Sequence, residues 1–226
     1  PRVWKSSELK PETSISYNLS ADYYGNWMRI STNLFRTDLK NKIGFTDADA
    51  KVSALGYDYQ WKNIDDAFVQ GVELSIISNI SNQLDAGIDF TFNQGEYKNS
   101  REDWVGTLYE KDSKYIPRFA QTTGNVKIEY RPKNWIITAA GSFYGSMYID
   151  YMAEENPSLA KIKKTDPFML FNARVSRQIG WVKLYAGANN IFGYVQDEKY
   201  LDDAAFMYAP VYGAMFYAGI AIQITH

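Results

Sequence analysis

The segment Gly213-Ala214-Met215-Phe216-Tyr217-Ala218-Gly219-Ile220-Ala221-Ile222-Gln223-Ile224 decides the fold. One parity reads Ala214, Phe216, Ala218, Ile220, Ile222, Ile224, and the other Met215, Tyr217, Gly219, Ala221, Gln223. Successive side chains of a strand point to opposite faces, so one face here is apolar throughout and the other is small or polar. The same separation recurs upstream. Val182, Leu184, Ala186 and Ala188 alternate with Lys183, Tyr185, Gly187 and Asn189, and Gly124, Val126, Ile128 and Tyr130 alternate with Thr123, Asn125, Lys127 and Glu129. Leu84, Ala86, Ile88, Phe90 and Phe92 alternate with Asp85, Gly87, Asp89, Thr91 and Asn93.

Five further segments carry weaker alternation, and the pattern predicts nine strands near 12–23, 26–42, 66–78, 83–94, 118–131, 135–145, 167–177, 181–193 and 213–225. The connections between them alternate in length. Tyr24-Gly25, Asn79-Ile80-Ser81-Asn82, Pro132-Lys133-Asn134 and Gln178-Ile179-Gly180 are tight turns. The intervening connections, near 43–65, 95–117, 146–166 and 194–212, run to about twenty residues each, well beyond the usual loop of a compact soluble domain. A transmembrane β-barrel alternates in this way, with short turns toward the periplasm and long loops outward. Trp27, Trp135 and Trp181 sit at the turn ends of three strands, and Tyr24, Tyr130 and Tyr144 lie near strand ends, where amphipathic rings favour the headgroup level. A water-soluble barrel or sandwich is the alternative; it would turn the same apolar parity into a core.

Composition narrows the function. With 24 Lys plus Arg against 26 Asp plus Glu, the chain offers no basic stripe for nucleic acid. It has no Cys and a single His, His226, which excludes thiolate metal sites, a Ser-His-Asp triad and an axial haem histidine between structured elements. No apolar run approaches the roughly 18 residues of a membrane helix. The 36 aromatic residues therefore belong to strands and loops rather than to a helical span or an oversized soluble core.

If the last strand ends in the periplasm, the first also runs downward and residues 1–11 lie outside the cell. Nine is an odd number, whereas single-chain bacterial barrels have even counts, and unpaired edges in lipid are costly. The chain is accordingly expected to be one part of a larger closed sheet.

Short motifs along these strands resemble the C-terminal half of the TonB-dependent outer-membrane receptor family. Leu9-Lys10-Pro11-Glu12 is similar to the family's LKPE segment, Gly71-Val72-Glu73-Leu74 to its GVE strand and Ile116-Pro117-Arg118-Phe119 to its IPR segment. Asn189-Asn190-Ile191-Phe192-Gly193 is similar to the NLFD or NIFG segment, with Tyr200 after it, and Gly213 to Ile224 to the closing GRxFYxG strand. The motifs keep the family's order from Leu9 onward, and the spacing of the last ones is most similar to receptors of Bacteroidetes-type bacteria. Two positions depart: Ala214 stands where the family usually has Arg, and the chain finishes Thr225-His226 rather than on an aromatic residue.

The resemblance implies an all-β, antiparallel transmembrane β-barrel, integral to the bacterial outer membrane, of which residues 1–226 supply about nine C-terminal strands of 22. It implies an N-terminal plug and earlier strands outside this chain, a TonB complex that contacts the missing part, and outer-membrane lipid around the wall. The implied activity is import of a scarce nutrient, a metal chelate such as a ferric siderophore, or cobalamin, with a surface lipoprotein as a further partner. A passive porin and a surface adhesin or docking barrel are the other readings.

No acid–base pair is recognisable in the loops, so no catalytic residue, cofactor or resident metal is assigned and the chain is not read as an enzyme. Asp47, Asp49 and Asp58, and Asp202-Asp203, could offer oxygen to calcium, but no glycine turn or ordered carbonyl pattern accompanies them, which favours solvated loop acids. Ligand contact is expected from loop aromatics and methionines: Trp104 and Tyr109; Tyr148, Tyr151 and Met152; Phe206, Met207 and Tyr208. Large amphipathic rings bind bulky chelates at low entropy cost, although such residues also pack loops on one another. Arg29, Lys127, Glu129, Arg174 and Lys183 fall on the polar parity and are expected in a wet ion network between wall and plug.

Overall fold

In the computed structural model the described residues are 1–5, 8–100, 114–151, 161–196 and 208–222. They form strands β1 (Val3–Lys5), β2 (Thr13–Tyr24), β3 (Met28–Asp47), a one-turn helix α1 (Ala50–Ser53), β4 (Tyr59–Ser81), β5 (Leu84–Tyr97), β6 (Thr122–Tyr130) and β7 (Trp135–Tyr144). Then follow β8 (Tyr148–Tyr151), β9 (Lys161–Lys164), β10 (Phe168–Ile179), β11 (Val182–Asn189) and β12 (Met215–Ile222). Nine of them hydrogen-bond in the order β12-β11-β10-β7-β6-β5-β4-β3-β2, each beside its neighbour in sequence once the small β8-β9 hairpin is set aside. These are the nine strands that the alternation predicts.

Two compact units divide the chain: Pro1–Asn18, Phe35–Gln70 and Gln94–Ile116 form one, and Leu19–Leu34, Gly71–Asn93 and Pro117–His226 the other. The second contains the short turns. Gly25 N–H closes the first on Met28 O at 2.8 Å, and Gly180, at φ +59°, closes the turn between β10 and β11. Trp27, Trp135 and Trp181 all stand at these turns and all are exposed, with the Arg177 guanidinium 5.0 Å over the Trp135 ring.

Register in this unit keeps the two parities apart. Ile128 pairs with Ala139, Ala139 with Ala173 and Ala173 with Ala188, so one cross-strand row is apolar from β6 to β11. No layer covers that face among the described residues: Phe216 is 78% exposed, Ile220 67% and Leu19 70%. The buried hydrophobics are few, Val52, Ala67, Tyr97, Met147, Tyr148 and Phe168 among the described residues. A soluble sandwich would bury the alternating apolar parity in its interior, and this sheet does the reverse.

On the opposite face β11 and β12 interlock. Tyr185 pairs with Gly219 and Tyr217 with Gly187, and each tyrosine ring lies over the glycine of the other strand. A Cβ on Gly219 would stand 2.9 Å from Tyr185 Cε2 and run into its hydroxyl, and one on Gly187 would meet Tyr217 and stand 2.8 Å from Ala173 O. Only glycine admits this reciprocal packing.

The sequence pattern missed the β8-β9 hairpin, which falls in the predicted 146–166 connection of the second unit, and several parts of the first unit. β3 and β4 have 20 and 23 residues, so the predicted 43–65 connection shrinks to residues 48–58. At about 3.3 Å per residue such strands far outrun an apolar band of about 25 Å. Outside a band of that height both faces of a strand meet water, and apolar alternation is no longer selected. β4 also outruns β5, and β1 pairs with it in parallel, Val3 to Tyr59 and Lys5 to Trp61, which covers a free edge. Phe45 stacks on Tyr59 at 5.1 Å and meets Trp61 edge-on at 5.2 Å. Asp49 caps α1, its carboxylate accepting from the Lys51 and Val52 amides at 3.1 Å each.

Gly219→Val is expected to destabilise the folded protein by about 1–3 kcal/mol through overpacking against Tyr185. Urea unfolding of the full-length protein in micelles measures this, with Ala218→Val on the uncovered face as the near-neutral control. A second expectation concerns Asp49, whose carboxyl is held below the ordinary carboxylate range, chiefly by the Val52 amide. A depressed folded pKa gives stabilisation that is complete above the unfolded value and lost as pH falls through the folded one. Hydrogen exchange at Val52 should therefore lose protection only in acid below the ordinary carboxylate range, and Asp49→Asn should remove that acid limb while keeping the cap.

Candidate functional site

Within the second unit, the polar parity of β2 to β7 is tied across strands by side chains. Ser20 Oγ donates to Asn33 Oδ1 at 2.9 Å, and Asn33 Nδ2 donates to Glu73 Oε2 at 3.0 Å, which links three strands in one row. Ser31 Oγ donates to Asp22, Ser75 Oγ to Asp89 Oδ1 at 2.6 Å, and Ser142 Oγ to Asn125 Oδ1 at 2.8 Å. These are directly opposed or same-face neighbours, the positions at which cross-strand pairs interact.

The rows enclose a depression of about 410 Å³ lined by Asp22, Arg29, Ser31, Asn33, Glu73 and Asp89 among others. It is acidic: three carboxylates face one cation, Arg29, which sits 3.7 Å from Asp22 and 4.9 Å from the centre of the Tyr24 ring. Among the described residues no three His, Cys, Asp or Glu side chains come together as a metal-ligating group. A surface of this kind suits hydrogen-bond donors and cations over a broad, wet contact.

Toward the turns, a second cluster centres on Arg131, whose guanidinium donates to Glu129 Oε1 at 2.7 Å and to Asp85. Those carboxylates raise its pKa, with the Asp85 contact the larger cause, so it is a fixed cation. Lys127 stands 3.7 Å from Glu129 and the Arg174 guanidinium 4.5 Å over the Tyr185 ring. Of the five ions expected on this face, Glu129 and Lys127 thus join one network, Arg29 lies in the acidic depression, Arg174 is held by an aromatic ring, and Lys183 pairs in register with Ala221. Arg131, immediately after β6, shares the parity of Lys127 and Glu129 and is the member that the sequence reading left out.

At the far end of β7 and β10 stands an aromatic stack. Phe168, 5% exposed, lies between Tyr144 at 4.8 Å and Tyr194 at 4.9 Å, both nearly parallel to it, and meets Tyr208 edge-on at 6.1 Å. Met147 packs there with Ala120 and Tyr208. Polar clamps hold the chain around it. Asn190 Oδ1 accepts from the Tyr194 amide at 3.0 Å while its Nδ2 donates to Tyr194 O at 2.6 Å, and Gln196 Oε1 accepts from the amides of Tyr208 and Ala209 at 2.8 and 3.1 Å. Phe168 occupies the polar parity of β10, and an aromatic on the wrong parity is the sequence signal that could have found it.

Of the eight residues expected at the ligand, Tyr208 belongs to this stack, and Tyr148 is 6% exposed, with Lys164 Nζ 5.0 Å over its ring. Trp104, Tyr109, Met152, Phe206, Met207 and the side chain of Tyr151 lie outside the described residues, as do Asp202 and Asp203. Of the remaining loop acids, Asp49 caps α1 and Asp58 Oδ2 accepts from the Arg2 amide at 2.7 Å, while Asp47 contributes its backbone carbonyl to Gln60 at 3.1 Å.

Residues 4–191 match the family model described as TonB dependent receptor-like, beta-barrel. The iron-regulated outer membrane virulence protein of Vibrio cholerae serotype O1 is 30% identical over 104 residues, 42% of this chain and 16% of that protein. Among solved structures, the siderophore receptor PirA from Acinetobacter baumannii superposes with a TM-score of 0.71 at 18% identity, over 96% of this chain and 32% of that one. The FrpB iron transporter from Neisseria meningitidis does so with a TM-score of 0.67 at 12% identity, over 96% and 32%. The chain thus spans about a third or less of the length of these relatives. With nine consecutive antiparallel strands, two chemically opposite faces and a model match over most of its length, the chain belongs to the TonB-dependent receptor-like β-barrel family.

Proposed function

We propose that this chain is the C-terminal part of the barrel of a bacterial outer-membrane receptor that imports a metal chelate, a ferric siderophore in the first instance, under TonB energy coupling. The observation that carries it is the two-faced sheet: an apolar parity left uncovered above a row of turn tryptophans, and a polar parity laced with hydrogen bonds around an acidic depression. Such a sheet suits lipid on one side and a wet, occupied lumen on the other. The names of the relatives, an iron-regulated outer membrane protein, a siderophore receptor and an iron transporter, point the substrate toward chelated iron.

In this assignment the nine strands are the last of 22, and the earlier strands and the plug belong to the rest of the receptor. Asp22, Glu73 and Asp89 meet basic and hydrogen-bond-donating groups of the plug, and the Arg131 cluster supports the wall near the periplasmic rim. Trp104, Tyr109, Tyr151, Met152, Phe206 and Met207 contribute to ligand capture at the mouth, on a loop base in which Tyr148 and Tyr208 are packed. The plug transmits the pull of the TonB complex, and the wall stays closed around it.

A strain lacking the receptor should lose growth on one ferric chelate as sole iron source and regain it with the intact gene, and uptake of that labelled chelate should stop when the proton gradient is collapsed. Unchanged uptake of ferric chelates and cobalamin would remove the importer assignment, and steady bilayer conductance without TonB would replace it with a porin.

A further inference from the structure

The uncovered face of the second unit is not uniform. Over β5, β6, β7 and β10 it sinks into a trough of about 560 Å³ whose floor is made by Gly124, Ala139, Gly141 and Ala173. Three cross-strand rows build it. Ile128, Ala139 and Ala173 form the row nearest the turns, Val126, Gly141 and Phe171 the next, and Gly124, Phe143 and Met169 the last. Aromatic rings stand as walls around the small residues: Phe90 beside Gly124 in register, Phe143 on its other side, and Phe171 meeting Phe192 edge-on at 5.2 Å. At Gly141 the Phe171 ring leans into the space a side chain would take, 3.2 Å from an ideal Cβ.

We infer that this trough binds one acyl chain of an outer-leaflet lipid, lying along β6 and β7. The inference rests on the membrane assignment above. Three observations select a hydrocarbon chain over other occupants. First, the backbone beneath the trough is fully committed to the β5-β6, β6-β7 and β7-β10 ladders, so the trough has no donor or acceptor to offer a peptide strand. An extended peptide would bury unsatisfied amides there, whereas an acyl chain has none to satisfy. Second, the trough is continuous with the face that carries Ile137, Val175 and Leu184, all exposed, so a chain enters it sideways from surrounding lipid. Third, its middle row, at Gly141, lies six residues beyond Trp135, about 20 Å along the strand and about 15 Å in height for a strand tilted by about 40°. In an apolar band of about 25 Å this centres the trough in the half away from the periplasm.

The test uses the full-length receptor extracted from outer membranes in mild detergent, with retained lipid counted by native mass spectrometry and identified after extraction. Wild type and Ala186→Leu, a change on the same face outside the trough, should each keep a bound acylated lipid. Ala139→Leu/Ala173→Leu and Gly124→Leu/Gly141→Leu fill the floor and should lower occupancy at least about fivefold, because the chain loses its dispersion contacts. The smaller Gly124→Ala/Gly141→Ala pair should give a partial loss and serves if the larger changes prevent folding, judged by heat-modifiable migration. Wild type stripped of lipid, or filled variants that fold and retain lipid as wild type does, would overturn the inference. So would loss of cross-linked receptor pairs in the filled variants without loss of lipid, which would make the trough a protein contact. Chelate uptake by the same strains reports separately on the import function, so either idea can fail alone.

Discussion

Backbone pairing in a solvent without hydrogen bonds is the constraint on which the rest of this structure depends. In hydrocarbon every N–H and C=O must be satisfied within the protein, and a sheet does so only strand by strand. The consecutive ladders from β2 to β12 meet that requirement internally, and β2 and β12 end the order with edges that demand partners. Because the ladders rather than a core hold the strands, the apolar parity can remain uncovered. Val126, Ile128, Ile137 and Ile220 contribute through the solvent they prefer rather than through one another.

The polar parity is organised by the same geometry. Serines and asparagines opposite carboxylates convert register into hydrogen-bonded rows, Ser20-Asn33-Glu73 and Ser75-Asp89, so a one-residue slip would place these groups against lipid. Tyr185 and Tyr217 fasten β11 to β12 by lying over Gly219 and Gly187, which adds a steric lock to the backbone ladder at one end of the strand order. The acidic depression is thus part of the wall's own construction. Its shape needs no dedicated loop, only strand residues two apart.

Where the strands leave the apolar band, the rules change. β3 and β4 continue as a ladder supported by β1 and by Phe45, Tyr59 and Trp61, and the base of the loops after β7 and β11 is closed by Phe168 between two tyrosines. Asn190 and Gln196 serve there as local acceptors for exposed amides, the work that regular pairing does inside the sheet. Alternation is silent in such regions because water surrounds both faces, which is why β1, β8 and β9 and the outer ends of β3 and β4, residues 43–47 and 59–65, were not legible. The polar face was legible residue by residue, Arg29, Lys127, Glu129 and Arg174 included. Their partners were not, since Asp22, Arg131 and Tyr185 are brought to them by register.

The sequence by itself determined the nine long strands, which residues share a face and the placement of tryptophans at the turns, because a period of two leaves one solution for the side chains of a strand. It also carried the family, through motifs such as Gly71-Val72-Glu73 in their order. Only the tertiary structure decided that the apolar parity is uncovered rather than a core, that three carboxylates share one depression with Arg29, and that Gly124 and Gly141 open a trough beside Phe171. Each of these depends on which residues of separate strands stand side by side, and register is fixed by turns and packing across the sheet rather than by any one strand's pattern.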